Sequence, residues 1–225
     1  MTPALLAVDC GQVVYEEALG WQRALVAARA AGDVDDVVLM LEHDRVYTAG
    51  RRADVAAHVL PSADIRVVPV ERGGDVTYHG PGQLVAYPIV ALPHAKAVRP
   101  FVAALEAACV RTAAAFGVAA RPQPPPRTGV WVGERKLVAI GIKVDGRVTS
   151  HGLAFNVTTD LADYAGIVPC GLAGTGVCSL ASLGVRATVA EVRARLTTDL
   201  ADALGRRVVP ASLADVGLAA GSART

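Results

Sequence analysis

Four glycines fall within the twelve residues Arg72-Gly-Gly-Asp-Val-Thr-Tyr-His-Gly-Pro-Gly-Gln83, and an apolar run, Leu84-Val-Ala-Tyr-Pro-Ile-Val90, follows at once. Glycine has no Cβ, so such a stretch lets the backbone approach a ligand closely and turn through positive φ. Arg72 and His79 add one permanent charge and one proton-exchanging group to that backbone. The combination predicts the wall of a pocket. The reactive groups for such a pocket have to come from elsewhere in the chain.

Bulk properties bound what surrounds it. At 225 residues the chain has the length of one domain, with a hydrophobic fraction of 52% and a charged fraction of 19%. Aromatics are only 4%, so the core has to be built from small aliphatic side chains. A net charge of +1 argues against a general nucleic-acid binder. The arginine pairs Arg51-Arg52 and Arg206-Arg207, and Arg135-Lys136, are expected to be solvated surface features. A local basic patch for an acidic partner stays open. Met1 to Asp9 has no basic region ahead of its short apolar run, unlike a signal peptide, and no apolar segment reaches the length of a bilayer span. These features predict a cytoplasmic protein whose four cysteines, Cys10, Cys109, Cys170 and Cys178, are reduced.

Periodicity predicts a helix over 15–31 stopped by Gly32, and a strand over 37–41 ending in Glu42-His43-Asp44. Residues 45–51 read as a loop, 65–71 as a β-branched run and 84–92 as a buried strand. A second helix is expected over 98–116, with Cys109 on its apolar stripe as a core thiol. Residues 121–127 are too rich in proline for a helix interior or a central strand. Strands follow over 129–132, 136–144 and 149–157, with Gly133-Glu134 and Asp145-Gly146 as turns. Thr188 and Glu191 form a capping-box signature before a last helix, and Val208-Val209 has strand character. Helices and hairpin-linked strands segregate in blocks, which predicts an α+β domain over 1–210 and a frayed tail over 211–225.

Cys170 stands in Pro169-Cys170-Gly171, a rigid residue before the thiol and a permissive one after it, which leaves it open to approach. A free thiol is only a few per cent thiolate at neutral pH, and lowering its pKa by two units takes about 2.7 kcal/mol of charge stabilisation. A nearby ammonium supplies that, and the candidates are Lys136, Lys143 and Lys96. Lys136 opens an apolar strand, whereas Lys143 lies beside a turn. His43, His79 and His151 with Cys170 raise the question of zinc, but their spacing matches no metal pattern. His58 and His94 read as surface residues. There is no Gly-x-Ser-x-Gly elbow, and the glycine-rich stretch is neither a phosphate-binding loop nor Gly-x-Gly-x-x-Gly.

Residues 72–89 closely resemble the signature of the octanoyltransferases of lipoate biosynthesis, the lipoyl(octanoyl) transferases. The similarity extends through Leu41-Glu-His43, Tyr47 to Arg52, Gly129 to Val132, Lys136 to Gly141, Ser150 to Val157 and Ile167 to Leu172, in order along most of the chain. The resemblance implies the fold of a biotin/lipoate protein ligase catalytic domain: a mixed sheet flanked by helices, with a smaller sheet-containing lobe. It implies transfer of octanoyl from octanoyl acyl carrier protein, through an enzyme thioester, to a lysine of a lipoyl domain. Acceptors would be the lipoyl domains of 2-oxoacid dehydrogenase complexes and the glycine cleavage H protein.

The family's cysteine–lysine dyad maps to Cys170 and Lys136, which decides against Lys143. Its acyl pocket maps to Arg72, Gly73, Gly74, Asp75, Val76, Thr77, Tyr78 and His79, to Ala139, Ile140 and Gly141, and to Gly152, Leu153 and Ala154. His43 and His151 are supporting candidates, and His79 and His151 fit orienting or structural roles equally. A thioester donor is already activated, so no cofactor is expected, neither ATP nor metal. Cys178 stands where threonine is common, Asp75 where a basic residue often stands, and the Pro124-Pro-Pro126 connector is not general to the family. Two other classes share parts of this pattern, an ATP-dependent lipoate or biotin ligase and a non-catalytic acyl-carrier-binding protein.

Overall fold

The computed structural model describes residues 2–60, 64–125, 127–167 and 176–219. Along the chain these form strands β1 (Ala4–Val13), β2 (Asp36–His43), β3 (Val46–Ala49), β4 (Val67–Pro69), β5 (Val76–His79) and β6 (Gln83–Ile89). Then come β7 (Arg121–Pro122), β8 (Gly129–Val132), β9 (Arg135–Asp145), β10 (Val148–Asn156), β11 (Gly176–Val177) and β12 (Arg207–Ala211). The helices are α1 (Tyr15–Ala31), the single turn α2 (Val55–His58), α3 (Val98–Ala115) and α4 (Val189–Leu204).

Nine of the described strands make one mixed sheet in the order β12-β1-β2-β6-β10-β9-β8-β7, with β11 attached to β9. β12 and β2 run parallel to β1, and from β2 to β7 each neighbouring pair is antiparallel. Helices cover both faces. Val37, Leu39 and Leu41 of β2 pack with Ala18, Trp21 and Leu25 of α1. Val38 and Met40 pack with Phe101 and Leu105 of α3 and Leu196 and Leu200 of α4. A strand buried on both faces has no polar side, which is why 37–41 reads as an unbroken apolar run.

Helix α1 carries Glu16 and Glu17 in its first turn, against the positive end of its dipole, and ends on Gly32 at φ 87°. The Thr188–Glu191 capping box starts α4 as expected, with the Thr188 hydroxyl accepting from the Glu191 N–H and the Glu191 carboxylate accepting in return. Arg121–Pro122 pairs only at the sheet edge, where proline is tolerated. Among the described residues no helix is long and apolar enough to cross a membrane.

Several expectations need correction. Residues 46–49, read as loop, are the central strand of a separate three-stranded sheet, β4-β3-β5. The glycine-rich stretch is interrupted by β5, which pairs antiparallel with β3. These strands are too short to show alternation, and distant pairing creates them. Strand β1 went unread because its alternation breaks at a register shift between Asp9 and Gly11. The β9–β10 turn is centred on Gly146-Arg147, one residue later than expected, since Asp145 pairs with Val148. Beyond β12, Ser212 and Asp215 bond across a short 3-10 turn that buries Val216, so fraying does not begin at 211.

Arg206 is not a free surface charge. Its Nε pairs at 2.8 Å with Asp36, whose other oxygen takes Arg29 Nε at 2.7 Å and the Ala91 N–H at 3.1 Å. Asp36 is 3% exposed and ties α1, β2, the chain after β6 and the entry to β12 together. Asp36→Ala is expected to cost about 2–3 kcal/mol in urea unfolding, with Arg206→Ala costing less because Arg29 remains. Equal effects of the two substitutions would show that the carboxylate is not the hub.

Candidate active site

The 72–74 segment, just ahead of β5, lies on β9, and a cavity of about 620 Å³ opens between the 72–79 stretch and strands β9 and β10, within the range of small-molecule sites. Its floor is Ala139 to Ile142 of β9 and His151 to Ala154 of β10. Arg72 to Thr77 and His79 form one wall, Tyr15 and Tyr87 the inner end, and Val98, Val102 and Glu106 of α3 another side. Arg52 and Arg99 are exposed at its edge.

Two glycines on neighbouring strands make this geometry possible. A Cβ at Gly141 would come within 3.0 Å of Gly73 O and 3.2 Å of Arg72 Cδ. Without it, Gly73 donates its N–H to Ile142 O at 2.9 Å, and the 72–74 segment lies directly on β9. A Cβ at Gly152 would meet Ala86 O at 2.1 Å. The preceding residue, His151, has φ 55°, the one non-glycine at positive φ among the described residues. Its N–H leaves the sheet ladder and donates to Gln22 Oε1 of α1 at 2.7 Å. Left-handed backbone costs an L-residue roughly 1–2 kcal/mol, so the helix amide and close strand packing hold it there.

Arg72 is 7% exposed and donates from Nη2 to Thr48 O at 2.7 Å and Thr48 Oγ1 at 2.8 Å, which pins the wall to β3. Gln83 directs Nε2 at Tyr78 O, Asn156 Oδ1 and Tyr164 Oη, so its Oε1 accepts from His79 Nδ1 at 2.8 Å. His79 therefore keeps Nε2 as an acceptor. His43 donates from Nδ1 to Val13 O, and its Nε2 accepts from the Tyr87 hydroxyl, both at 2.7 Å. Burial, reinforced by neighbouring positive groups, holds the histidines neutral. His43 and His151 are each lowered to about 4, and His79 well below its ordinary value.

Of the predicted acyl-pocket residues, all but Tyr78 line the cavity, as do Lys136 and His151. Tyr78 is a correction. Alternation along β5 turns it away from Thr77 and His79, and its hydroxyl donates to Asp163 Oδ2 at 2.6 Å. It thereby anchors the 161–166 turn, together with Arg45 on the same carboxylate and Tyr47 on Asp163 O. His43 does not line the cavity and acts on it through the residues it touches, Tyr87 by its hydrogen bond and the Tyr15 and His79 rings by packing at centroid distances of 5.0 and 5.7 Å. His58 is not a plain surface residue, since it pairs with Asp75 at 2.8 Å. Sequence reading missed Tyr15, Tyr87 and Asn156, of which the last two lie inside the motifs but look like strand residues.

Cys170 lies outside the described residues. The chain re-enters beside Lys136: Gly176 and Val177 pair in parallel with Arg135 and Lys136, and Cys178 donates its N–H to Lys136 O at 3.0 Å. The three described cysteines are unsuited to nucleophilic chemistry. Burial pushes Cys10 up to about 12, Cys178 up to about 11 and the Cys109 thiol higher still, and none lines the cavity. Lys143 is engaged by Glu71 and by Asp145 at 3.5 Å, away from the cavity. Among the described residues no group of three histidine, cysteine or acidic side chains is placed to hold a metal ion.

This fold and cavity define a class of protein. Residues 14–201 match the family of lipoyl protein ligase A/B catalytic domains. A bi-partite lipoate protein ligase from Thermoplasma acidophilum superposes with TM-score 0.69 at 16% identity, covering 99% of both chains. A biotin protein ligase from Aquifex aeolicus superposes with TM-score 0.52 at 11% identity, covering 91% of this chain and 69% of that one. The octanoyltransferase of Solibacter usitatus is 46% identical over 91% of this chain and 95% of its own. The chain belongs to the octanoyltransferases of lipoate biosynthesis and is an acyltransferase.

Neutral buried histidines make stability depend on pH. In the unfolded chain His43 and His151 bind protons below about 6.5, while in the folded protein they resist until about 4. The unfolded state therefore binds more protons in that window, and stability falls as pH drops through it, by up to about 1.4 kcal/mol per pH unit for each histidine. His79, lowered by burial in the same way, adds a similar amount, so between pH 7.5 and 5.5 the three together should remove about 4 kcal/mol of urea-unfolding free energy. His151→Asn, which tolerates the left-handed backbone, should reduce the drop by about a third. A flat profile would show that the histidines are not buried as neutral groups.

Proposed function

We propose that the protein transfers octanoyl from octanoyl acyl carrier protein to a lysine of lipoyl domains through a thioester on Cys170, with Lys136 as the proton carrier. The observation that supports this reading is the pairing of 176–177, six residues after Cys170 in sequence, with the backbone at Lys136, the one lysine among the described residues that lines the cavity. The raised pKa values of Cys10, Cys109 and Cys178 support it further.

In the first half-reaction Cys170 gives its proton to Lys136 Nζ, and the thiolate attacks the donor thioester carbonyl. Backbone N–H groups of the glycine-rich wall offer hydrogen bonds to the oxyanion. The carrier thiol leaves with the proton returned by Lys136, and octanoyl stays on Cys170. In the second half-reaction the acceptor amine attacks the acyl-enzyme, Lys136 takes the amine's proton, and the Cys170 thiol is regenerated as the amide forms. The thioester supplies the activation throughout. The apolar floor and the neutral His79 and His151 suit an uncharged acyl chain. Acceptors of this chemistry are the lipoyl domains of 2-oxoacid dehydrogenase complexes and the glycine cleavage H protein.

Intact-mass spectrometry after mixing with octanoyl acyl carrier protein should show one octanoyl adduct, absent in Cys170→Ala. Lys136→Ala should slow transfer by about 10²–10⁴-fold. Transfer preserved in Cys170→Ala, or ATP consumption with free octanoate, would replace this reading with that of a ligase.

A further inference from the structure

Strand β9 leaves regular pairing at one place, beside Lys136. Against β8, Val130 faces Val138 but Trp131 faces Lys136, so the register shifts between Val130 and Trp131. Leu137 is the extra residue, and it is fully buried in the core. In an unbroken register Trp131 would face Leu137, and Lys136 would face Val132. Such a bulge bends its strand and re-aims a side chain. Here it brings Lys136 onto the indole, with Nζ 4.8 Å from the ring centroid, inside the range of a cation–π contact.

The indole is itself fixed. Trp131 is 1% exposed, and its Nε1–H donates to Arg127 O at 2.9 Å. The Arg127 guanidinium lies 4.3 Å from the same ring centroid and pairs with Glu134 at 2.8 Å. Lys136 and Arg127 line the cavity, whereas Trp131 does not. A buried ring with a stationary neighbour is a rigid reference surface for a flexible four-carbon stem.

We propose that Trp131 is the positioning residue for Lys136 in octanoyl transfer, its indole face fixing where Nζ stands on the cavity wall. This rests on the reading of Lys136 as the proton carrier. A ring face favours the ammonium form less than a carboxylate would, which suits a group that exchanges its proton repeatedly. Misplacement of a reacting group by about 1 Å can cost about 10²-fold, so loss of the face should appear in the rate and not in donor binding.

The test is single-turnover acylation by octanoyl acyl carrier protein, read by mass, in Trp131→Phe, Trp131→Met, Lys136→Ala and the Trp131→Met/Lys136→Ala double variant. Phe keeps a ring face without the indole N–H and should lose less than about 5-fold. Met keeps bulk without the face and should lose about 30–100-fold in the maximal acylation rate, with the half-saturating donor concentration within about 3-fold. On the Lys136→Ala background, Trp131→Met should cost nothing further. Equal losses in Phe and Met, or a full further loss in the double variant, would overturn the proposal. A Lys136→Ala protein as active as the parent would instead overturn the dyad itself.

A second measurement needs no Trp131 variant. The chain has three lysines, Lys96, Lys136 and Lys143, so carbon-13 labelling of lysine gives a resolvable set of ε-CH₂ resonances, with the Lys136 signal assigned from Lys136→Ala. Its ε protons should be shifted upfield by the indole ring current. A Lys136 signal at the position of an exposed lysine overturns the proposal whether or not the Trp131 variants fold.

Discussion

Where Gly73 donates its N–H to Ile142 O, the 72–74 segment is laid on β9 of the nine-stranded sheet just ahead of β5 of the small one, and the space left beside the contact is the cavity. The distance is possible because Gly141 presents no Cβ to Gly73 O. Everything else in the site is arranged around that join. Arg72 reaches back to Thr48 on β3, His79 is oriented by Gln83, and Gln83 is held by Asn156 at the end of β10. Two sheets and one interstrand segment are thus locked by a chain of side-chain amides and one guanidinium. Buried polar groups stabilise only when paired in this way.

The join also sets the electrostatics. The inner end of the cavity holds phenols and imidazoles and no carboxylate, and burial keeps the imidazoles neutral at physiological pH. Positive charge is present there as well, since the buried Arg72 guanidinium acts on Tyr15, Tyr87, His79 and His151. Lys136, Arg127 and Glu106 also line the cavity, and Arg52 and Arg99 stand at its edge. On the reading proposed above, the exposed arginines would favour an acidic donor carrier, at a strength that falls with salt.

How much of this was legible in the sequence depends on where the determining contacts lie. Helices α1, α3 and α4 were readable because their signals are local: Gly32 as a stop, a stripe at Phe101, Leu105 and Cys109, and the Thr188–Glu191 box. Gly73 and Gly74 were readable as part of a permissive stretch, and Gly141 and Gly152 as pocket residues through the resemblance, although the backbone that packs against Gly141 and Gly152 was not. Strands β1, β3 and β5 were hidden because their pairing partners lie far off in sequence or their length is four residues. Tyr78 was misplaced for a related reason. A motif names a segment, but only the pleat decides which of its side chains turn inward. Trp131 was visible as part of a strand, and its contact with Lys136 depends on a bulge that no periodicity announces.

The same fold is shared with lipoate and biotin ligases at 16% and 11% identity. At that distance the likeness shows the fold and says nothing of how an acyl group is activated. On the reading proposed above, the difference lies in a thiol that the architecture does not require, that of Cys170. A ligase that activates its acid with ATP needs no acylated thiol. Lys136 itself lines the cavity, and the bulge beside it interrupts a ladder that would otherwise be regular while burying Leu137 in the core. A break in local regularity beside a cavity residue is where chemistry, as well as folding, has shaped a chain.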